Sequence, residues 1–197
     1  NLTTKVAFDA VGNVFSTTDA RNFTTRNTWS ATRKLLTTTL PATPQGVPTF
    51  TNRYHSRDWL SHTINPLQKV TLYTNDAAQR LISVTDPLLR TTRFVYDGQN
   101  RLTFTTNAAN EVTRQVWNAK GELIQTIDGG DRVVKRKFDG AGNQILLTNR
   151  NGKVWQFHFD AANRLTNTIS PLGRATKLAY NNRGLLKTVT EPSTDTA

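Results

Sequence analysis

The residues of this chain that could do chemistry recur in fixed phases. Asp9, Asp76, Asp97, Asp139 and Asp160 stand in one phase, and Asp19, Asp86, Asp128 and Glu191 in a second. Asp at the head of a turn accepts hydrogen bonds from the backbone that follows it, so a turn role explains all nine without catalysis. A calcium ladder is the sharper alternative, but the turns do not match the glycine-aspartate nonapeptide pattern. His55, His62 and His158 fall in unrelated phases, with no HExxH or other ligand spacing. There is no Gly-rich phosphate loop and no nucleophile elbow, and the GGD at Gly129 reads as a hairpin turn. No catalytic, metal or cofactor-binding residues are assigned, and no cofactor is expected.

Two further columns carry chemical potential. One is aromatic: Phe8, Trp29, Tyr54, Tyr96, Trp117, Phe138, Phe159 and Tyr180. Such a column suits stacking on sugars or bases, yet its regular recurrence fits cross-strand packing better. The other is basic: Lys5, Arg26, Arg93, Arg114, Lys135 and Lys177, each three residues before the aromatic position. Odd spacing in a strand puts this ladder on the face opposite the aromatics, with cations about 10 Å apart at two strands per step. It reads either as a solvated face that resists aggregation or as a track for an anionic cargo or glycan.

The elements that position these columns follow from the period. YDGQNRL at Tyr96 returns 21 residues later as WNAKGEL at Trp117, then as FDGAGNQ, FDAANRL and YNNRGLL. Backwards, the phase falls on Asn75, Tyr54, Trp29 and Phe8, so nine units cover the single array 1–197. Fixed self-similarity at this length marks a repeat architecture. Before each aromatic lies a Thr-, Val- and Arg-rich stretch with strand character. After it come Asp, Asn, Gly and Ala, which are turn residues. The next strand starts six places on at Val14, Leu35, Leu60, Leu81, Leu102, Leu123, Leu165 or Leu186, with Gln144 the exception. Positions six and ten share parity, so both are expected on one face. A second turn begins eleven residues after the aromatic, as in NPLQ at Asn65, DPLL at Asp86 and SPLG at Ser170.

Each unit is therefore strand, turn, strand, turn, and the expected fold is all-β. Propeller blades of about 40 residues would leave four and a half blades, and hairpin turns suit a stacked parallel helix poorly. A continuous antiparallel strip remains, which at eighteen strands runs roughly 85 Å and must twist. The Asn75 unit lacks its aromatic, and Tyr73, two residues earlier on the same face, is expected to fill the space. Four extra residues around 40–48, with three prolines, predict a protruding loop.

Composition narrows the class further. Lys and Arg outnumber Asp and Glu 25 to 14, for a net charge of +11, which favours anionic partners. Without cysteine there is neither a disulfide framework nor a Cys-based zinc site. No apolar run has membrane length and no signal-peptide pattern is present. The chain starts at Asn1 and neither end carries a capping repeat, so it reads as a piece of a longer array or as a unit joined end to end through its edges. Asn1-Leu2-Thr3 and Asn22-Phe23-Thr24 match the N-glycosylation pattern.

In SPLGRATKLAYNNRGLL, from Ser170 to Leu186, and DPLLRTTRFVYDGQNRL, from Asp86 to Leu102, both turn motifs and the strand motif recur in phase. They resemble the RHS or YD repeats, and the resemblance spans residues 1–197. It implies nine hairpin repeats in a continuous antiparallel, spiralling sheet strip that forms part of a hollow shell, as in bacterial toxin-complex cocoons, Rhs toxins and teneurins. It also implies a secreted or cell-surface, bacterial-type location, with further copies of the repeat as partners and a polypeptide as cargo. The aspartate-bearing self-cleaving segment of toxin shells has no counterpart here, so a non-enzymatic shell or filament segment is expected. The alternative is a binding module that engages acidic glycan or nucleic acid through the basic ladder.

Overall fold

The computed structural model describes residues 3–192. The fold is all-β, with eighteen strands in one antiparallel sheet and no helix among the described residues. Contacts divide the chain into two compact units, Asn1–Phe94 and Val95–Ala197. The first holds β1 (Lys5–Phe8), β2 (Val14–Thr18), β3 (Thr24–Trp29), β4 (Leu35–Thr39), β5 (Thr49–Tyr54), β6 (Leu60–Ile64), β7 (Val70–Asn75) and β8 (Leu81–Thr85). The chain passes from the first unit to the second along β9 (Thr91–Tyr96). The second unit continues with β10 (Leu102–Thr106), β11 (Val112–Trp117), β12 (Leu123–Ile127), β13 (Val133–Phe138) and β14 (Gln144–Thr148). It ends with β15 (Val154–Phe159), β16 (Leu165–Ile169), β17 (Ala175–Tyr180) and β18 (Leu186–Thr190). Within each unit, strands pair with their neighbours in sequence.

Both turns of a repeat share one construction. The N–H of the first turn residue donates to the carbonyl of the fifth, and the N–H of the fourth donates back to the first, as in Asp9 with Asn13 (2.9 Å) and Gly12 (3.1 Å). The fourth residue then takes a positive φ, the geometry of a type I turn closed by a left-handed residue. Glycine fills that place at Gly12 (88°) and Gly142 (89°), but Asn22, Arg33, Asp58, Gln68, Gln79, Leu89, Asn100, Asn110, Asp131 and Asn163 also adopt it. A branched-carbon side chain there costs about 1–2 kcal/mol against an unstrained backbone. Leu89, with φ 62°, is 83% exposed and gives up little packing if removed. Leu89→Gly is therefore expected to raise stability by about 0.5–1 kcal/mol after the entropy of glycine is subtracted. Urea denaturation checks this, and a destabilised variant would show that the turn holds no strain.

Every hairpin closed by the turn after the aromatic position also carries a β-bulge where its register is defined. Ala7 faces Ser16 while Phe8 faces Val14, so Phe15 is the extra residue. The same shift recurs in β3–β4, β5–β6 and β7–β8, and in the second unit in β11–β12, β13–β14, β15–β16 and β17–β18. An added residue reverses the alternation beyond it. Leu123 pairs with Trp117 on the aromatic face, but Ile127 pairs with Arg114 on the other. The expectation that positions six and ten share a face is thus overturned.

The 40–48 insertion is a loop closed by its own bonds, Leu40 N–H to Pro48 O (2.9 Å) and the pair Thr43–Gly46. The Asn1-Leu2-Thr3 pattern starts outside the described residues, whereas Asn22 sits on an exposed turn. No described residue is fully buried. Ladder hydrogen bonds, cross-strand pairs and turn networks carry the stability instead of a core.

Candidate functional site

The carboxylates are turn fasteners. One oxygen of Asp97 accepts the N–H of Gln99 (2.9 Å) and of Arg101 (3.0 Å), and the other accepts the Arg101 guanidinium (2.7 Å). Asp160 repeats this with Ala162 and Arg164, and Asp76 with Ala78 and Arg80. Where the fifth residue is Asn, its amide takes the place of the guanidinium, as from Asn13 to Asp9 and from Asn143 to Asp139. In two turns the partners are exchanged, and Asn107 and Asn118 donate to Glu111 and Glu122. Asp86 and Asp128 fasten the second turn to Arg90 and Arg132, Asp19 accepts from Phe23 and Arg21, and Glu191 accepts from Thr176. Groups so engaged favour their charged form, and the eight aspartates named here are held below the ordinary value of 3.8.

The aromatic column performs a second structural task. The pairing of an even strand with the following odd strand stops short of position six, as in β10–β11, where Phe104 to Thr106 are paired. Side chains of the next repeat reach the carbonyl at that position. Trp117 Nε1 donates to Leu102 O (2.8 Å), Tyr180 Oη to Leu165 O (2.8 Å), Tyr54 Oη to Leu35 O (3.0 Å) and Trp29 Nε1 to Val14 O (3.0 Å). Arg101 lies 6.0 Å from the centroid of the Trp117 ring and Arg164 4.7 Å from that of Tyr180. Arg101 also donates to Asn118 O. One guanidinium thus joins the turn of its own repeat to the ring of the next. Sequence reasoning passed over these arginines, although their signal was present in the recurring NRL and QRL triplets.

The basic ladder lies where strand parity placed it. Lys5, Arg26 and Arg93 in the first unit, and Arg114, Lys135 and Lys177 in the second, are all exposed. Neighbouring strand positions on that face are neutral or basic: Arg114 pairs with Phe104 and Ile127, and Lys135 with Gln125 and Thr148. No acidic residue lies within a described strand, so the face carries positive charge undiluted by carboxylates. It is interrupted, with Thr51 and Leu72 at the corresponding places in the first unit and Gln156 in the second.

The histidines separate into two cases. His158 stays on β15, while His55 and His62, which no spacing had linked, line one cavity of about 590 Å³ together with Arg57, Trp59, Tyr73 and Asn75. No group of three potential metal ligands occurs among the described residues. A second cavity of about 320 Å³ is lined by Trp59, Leu60, Tyr73, Asn75, Gln79 and Leu81. Both are bordered by Trp59, Tyr73 and Asn75, and the first also by His62 and Leu72, which pair with each other on the ladder face. Tyr73 borders the opening without filling it, contrary to expectation.

The family model described as RHS Repeat matches residues 76–112, 138–175 and 159–196. No curated protein matches the chain. Among solved structures, TcdB2-TccC3 without its hypervariable C-terminal region is similar with a TM-score of 0.74 at 13% identity, over 95% of this chain and 11% of that one. A second TcdB2-TccC3 structure gives 0.53 at 11% identity, over 95% and 14%. The Photorhabdus luminescens Tc holotoxin pore, bearing a TccC3 substitution, gives 0.53 at 12%, over 96% and 14%. The chain therefore spans about a tenth to a seventh of the length of these structures.

Proposed function

The chain belongs to the RHS/YD-repeat family, and from that premise we propose that its nine units act as one array, a non-enzymatic segment of a secreted or cell-surface β-shell or of a repeat-built extracellular filament. One observation carries this reading: among the described residues none is fully buried. A sheet without an interior of its own suits a wall, whose two faces meet different surroundings. The similarity in fold to TcdB2-TccC3 and to the Tc holotoxin pore supports a shell. The small share of those chains that it spans fits a wall segment. The partners in this reading are further copies of the repeat, with an enclosed polypeptide as cargo.

Electron microscopy of the native assembly, combined with the mass of the intact polypeptide, tests it. Closed particles from a polypeptide several times this length support the shell, and extended fibres support the filament. Dispersed single chains of this length alone would overturn both.

The unopposed charge of the basic face favours a second reading, a module that engages acidic glycan or nucleic acid. Replacing Arg93, Arg114 and Lys135 with Gln is then expected to abolish heparin or duplex-DNA binding. The wild-type affinity should fall with salt with a log–log slope of about −2 to −3 on DNA, set by three neutralised phosphates. Assembly that survives the triple substitution while binding disappears would assign the ladder to binding alone, and unchanged binding would remove this reading.

A further inference from the structure

We propose that the opening at Asn75 is a receptor for a tyrosine or tryptophan side chain presented by another polypeptide. The same place is filled elsewhere in the first unit. At Trp29 and Tyr54 an aromatic ring enters from the aromatic face, and its polar tip donates to the position-six carbonyl of the repeat before it. At the corresponding step, that carbonyl is Leu60 O. Asn75 stands where the ring should be, and its Nδ2 turns back to donate to Gln79 O (3.0 Å). No described side chain donates to Leu60 O. The space left behind is the cavity bordered by Leu60, Tyr73, Asn75 and Leu81, and Trp59 and Tyr73 also border the larger cavity beside it.

The walls of this opening are also altered. Trp59 stands at the turn position that Arg101 and Arg164 occupy in the second unit, so an indole replaces a guanidinium beside the vacant place. Arg57 lies 5.6 Å from the centroid of that indole. Trp59 and Tyr73 offer apolar surface to an entering ring. The Leu60 carbonyl favours a ring that brings a donor, as Trp29 and Tyr54 do in this unit, and indole and phenol have one where phenyl does not. Tyr and Trp are also the side chains that most often anchor a partner in a pocket. An acidic glycan would need cations aimed into the opening, but the ladder position nearest to it is Leu72, and Arg57, which borders the adjoining cavity, lies against the Trp59 ring. The inference does not depend on whether the chain builds a shell or a filament.

Titration of the isotope-labelled 197-residue chain with N-acetyl-tryptophanamide and N-acetyl-tyrosinamide tests it by NMR. The expected result is saturable, millimolar binding that shifts the Trp59 indole N–H and the Leu60–Ser61 amides. N-acetyl-phenylalaninamide, which lacks the donor, should bind up to about tenfold more weakly. Asn75→Trp and Asn75→Tyr should fill the opening from within, raise the melting temperature and abolish the shifts. If either variant fails to fold, Trp59→Ala provides the second measure and should weaken binding of both amides. Equal binding of the phenylalanine amide, a preference for methyl glucoside, or unchanged shifts in a folded Asn75 variant would each overturn the proposal.

Discussion

Replacing Trp117 with alanine is expected to lower stability by about 2–3 kcal/mol, below the range for fully buried tryptophans because the ring is only half-buried. The substitution removes the indole surface, the 2.8 Å bond to Leu102 O and the surface under the Arg101 guanidinium. Arg101 would keep its bonds to Asp97 but lose its support in the next repeat. Trp117→Phe separates these contributions, because it keeps most of the area and deletes only the donor. It should cost about 1 kcal/mol, and Phe138 and Phe159 already occupy this column. Urea unfolding gives the magnitudes, and hydrogen exchange across β10–β11 locates the loss. If phenylalanine proved as damaging as alanine, the bond to the carbonyl would outweigh the ring. If both were neutral, the column would have no part in joining repeats.

The second large effect is acid lability. Asp9 and Asp139 are held below the ordinary carboxylate value chiefly by the side-chain amides of Asn13 and Asn143, and Asp86 and Asp160 by the guanidinium groups of Arg90 and Arg164. Asp19 and Asp97 owe it first to the backbone N–H groups of Phe23 and Arg101. Burial pushes Asp76 and Asp128 upwards, but their hydrogen bonds to Arg80 and to the Arg132 backbone, with further donors, outweigh it. For each group the folded value lies below the reference of 3.8 that approximates the unfolded chain. Between the two values the unfolded state binds more protons, so stability rises with pH there. The contribution is complete well above 3.8 and is lost as pH falls through 3.8 to the lower folded values. The melting temperature should therefore be flat from neutral pH to about 5 and fall steeply below 4. Asp97→Asn with Asp160→Asn should flatten part of that fall, since Asn already fastens the turns at Asn107, Asn118 and Asn149. An unchanged acid limb in the double variant would locate the lability outside these turns.

The period made much of this fold readable. Strands begin at the aliphatic column from Val14 to Leu186 and end at the aromatic position, as the spacing predicted. The face of the basic ladder was also legible, because Arg114 and Trp117 share β11 and nothing interrupts the alternation between them. Between Leu123 and Ile127 parity misleads, because the bulge adds a residue. That residue is Phe15 in one repeat, Ser61 in another and Lys187 in a third, so no side-chain type announces it. A hydroxyl there donates to a carbonyl across the hairpin, Ser61 to Arg53 O, Thr103 to Val95 O and Thr166 to His158 O, but only in some repeats. The meeting of His55 and His62 was hidden because one lies in a turn and the other on β6, in phases of the repeat that no spacing links.

The bulge has one more consequence, for inheritance. Each repeat whose register is defined contains its own turns and its own bulge, so register is set afresh there and is not accumulated along the chain. Excision of residues 118–138 would join Trp117 directly to Asp139, whose turn DGAGN has the same construction as the one removed. Slippage between repeated stretches of the gene can then lengthen or shorten the protein by whole hairpins, each product keeping its aromatic, aliphatic and basic columns in line. A loss of 20 or 22 residues has no such refuge, because one residue out of phase at the junction puts the side chains of the strand made there on the wrong faces. Chain length in such a protein is free to vary in steps, while the step itself is held constant.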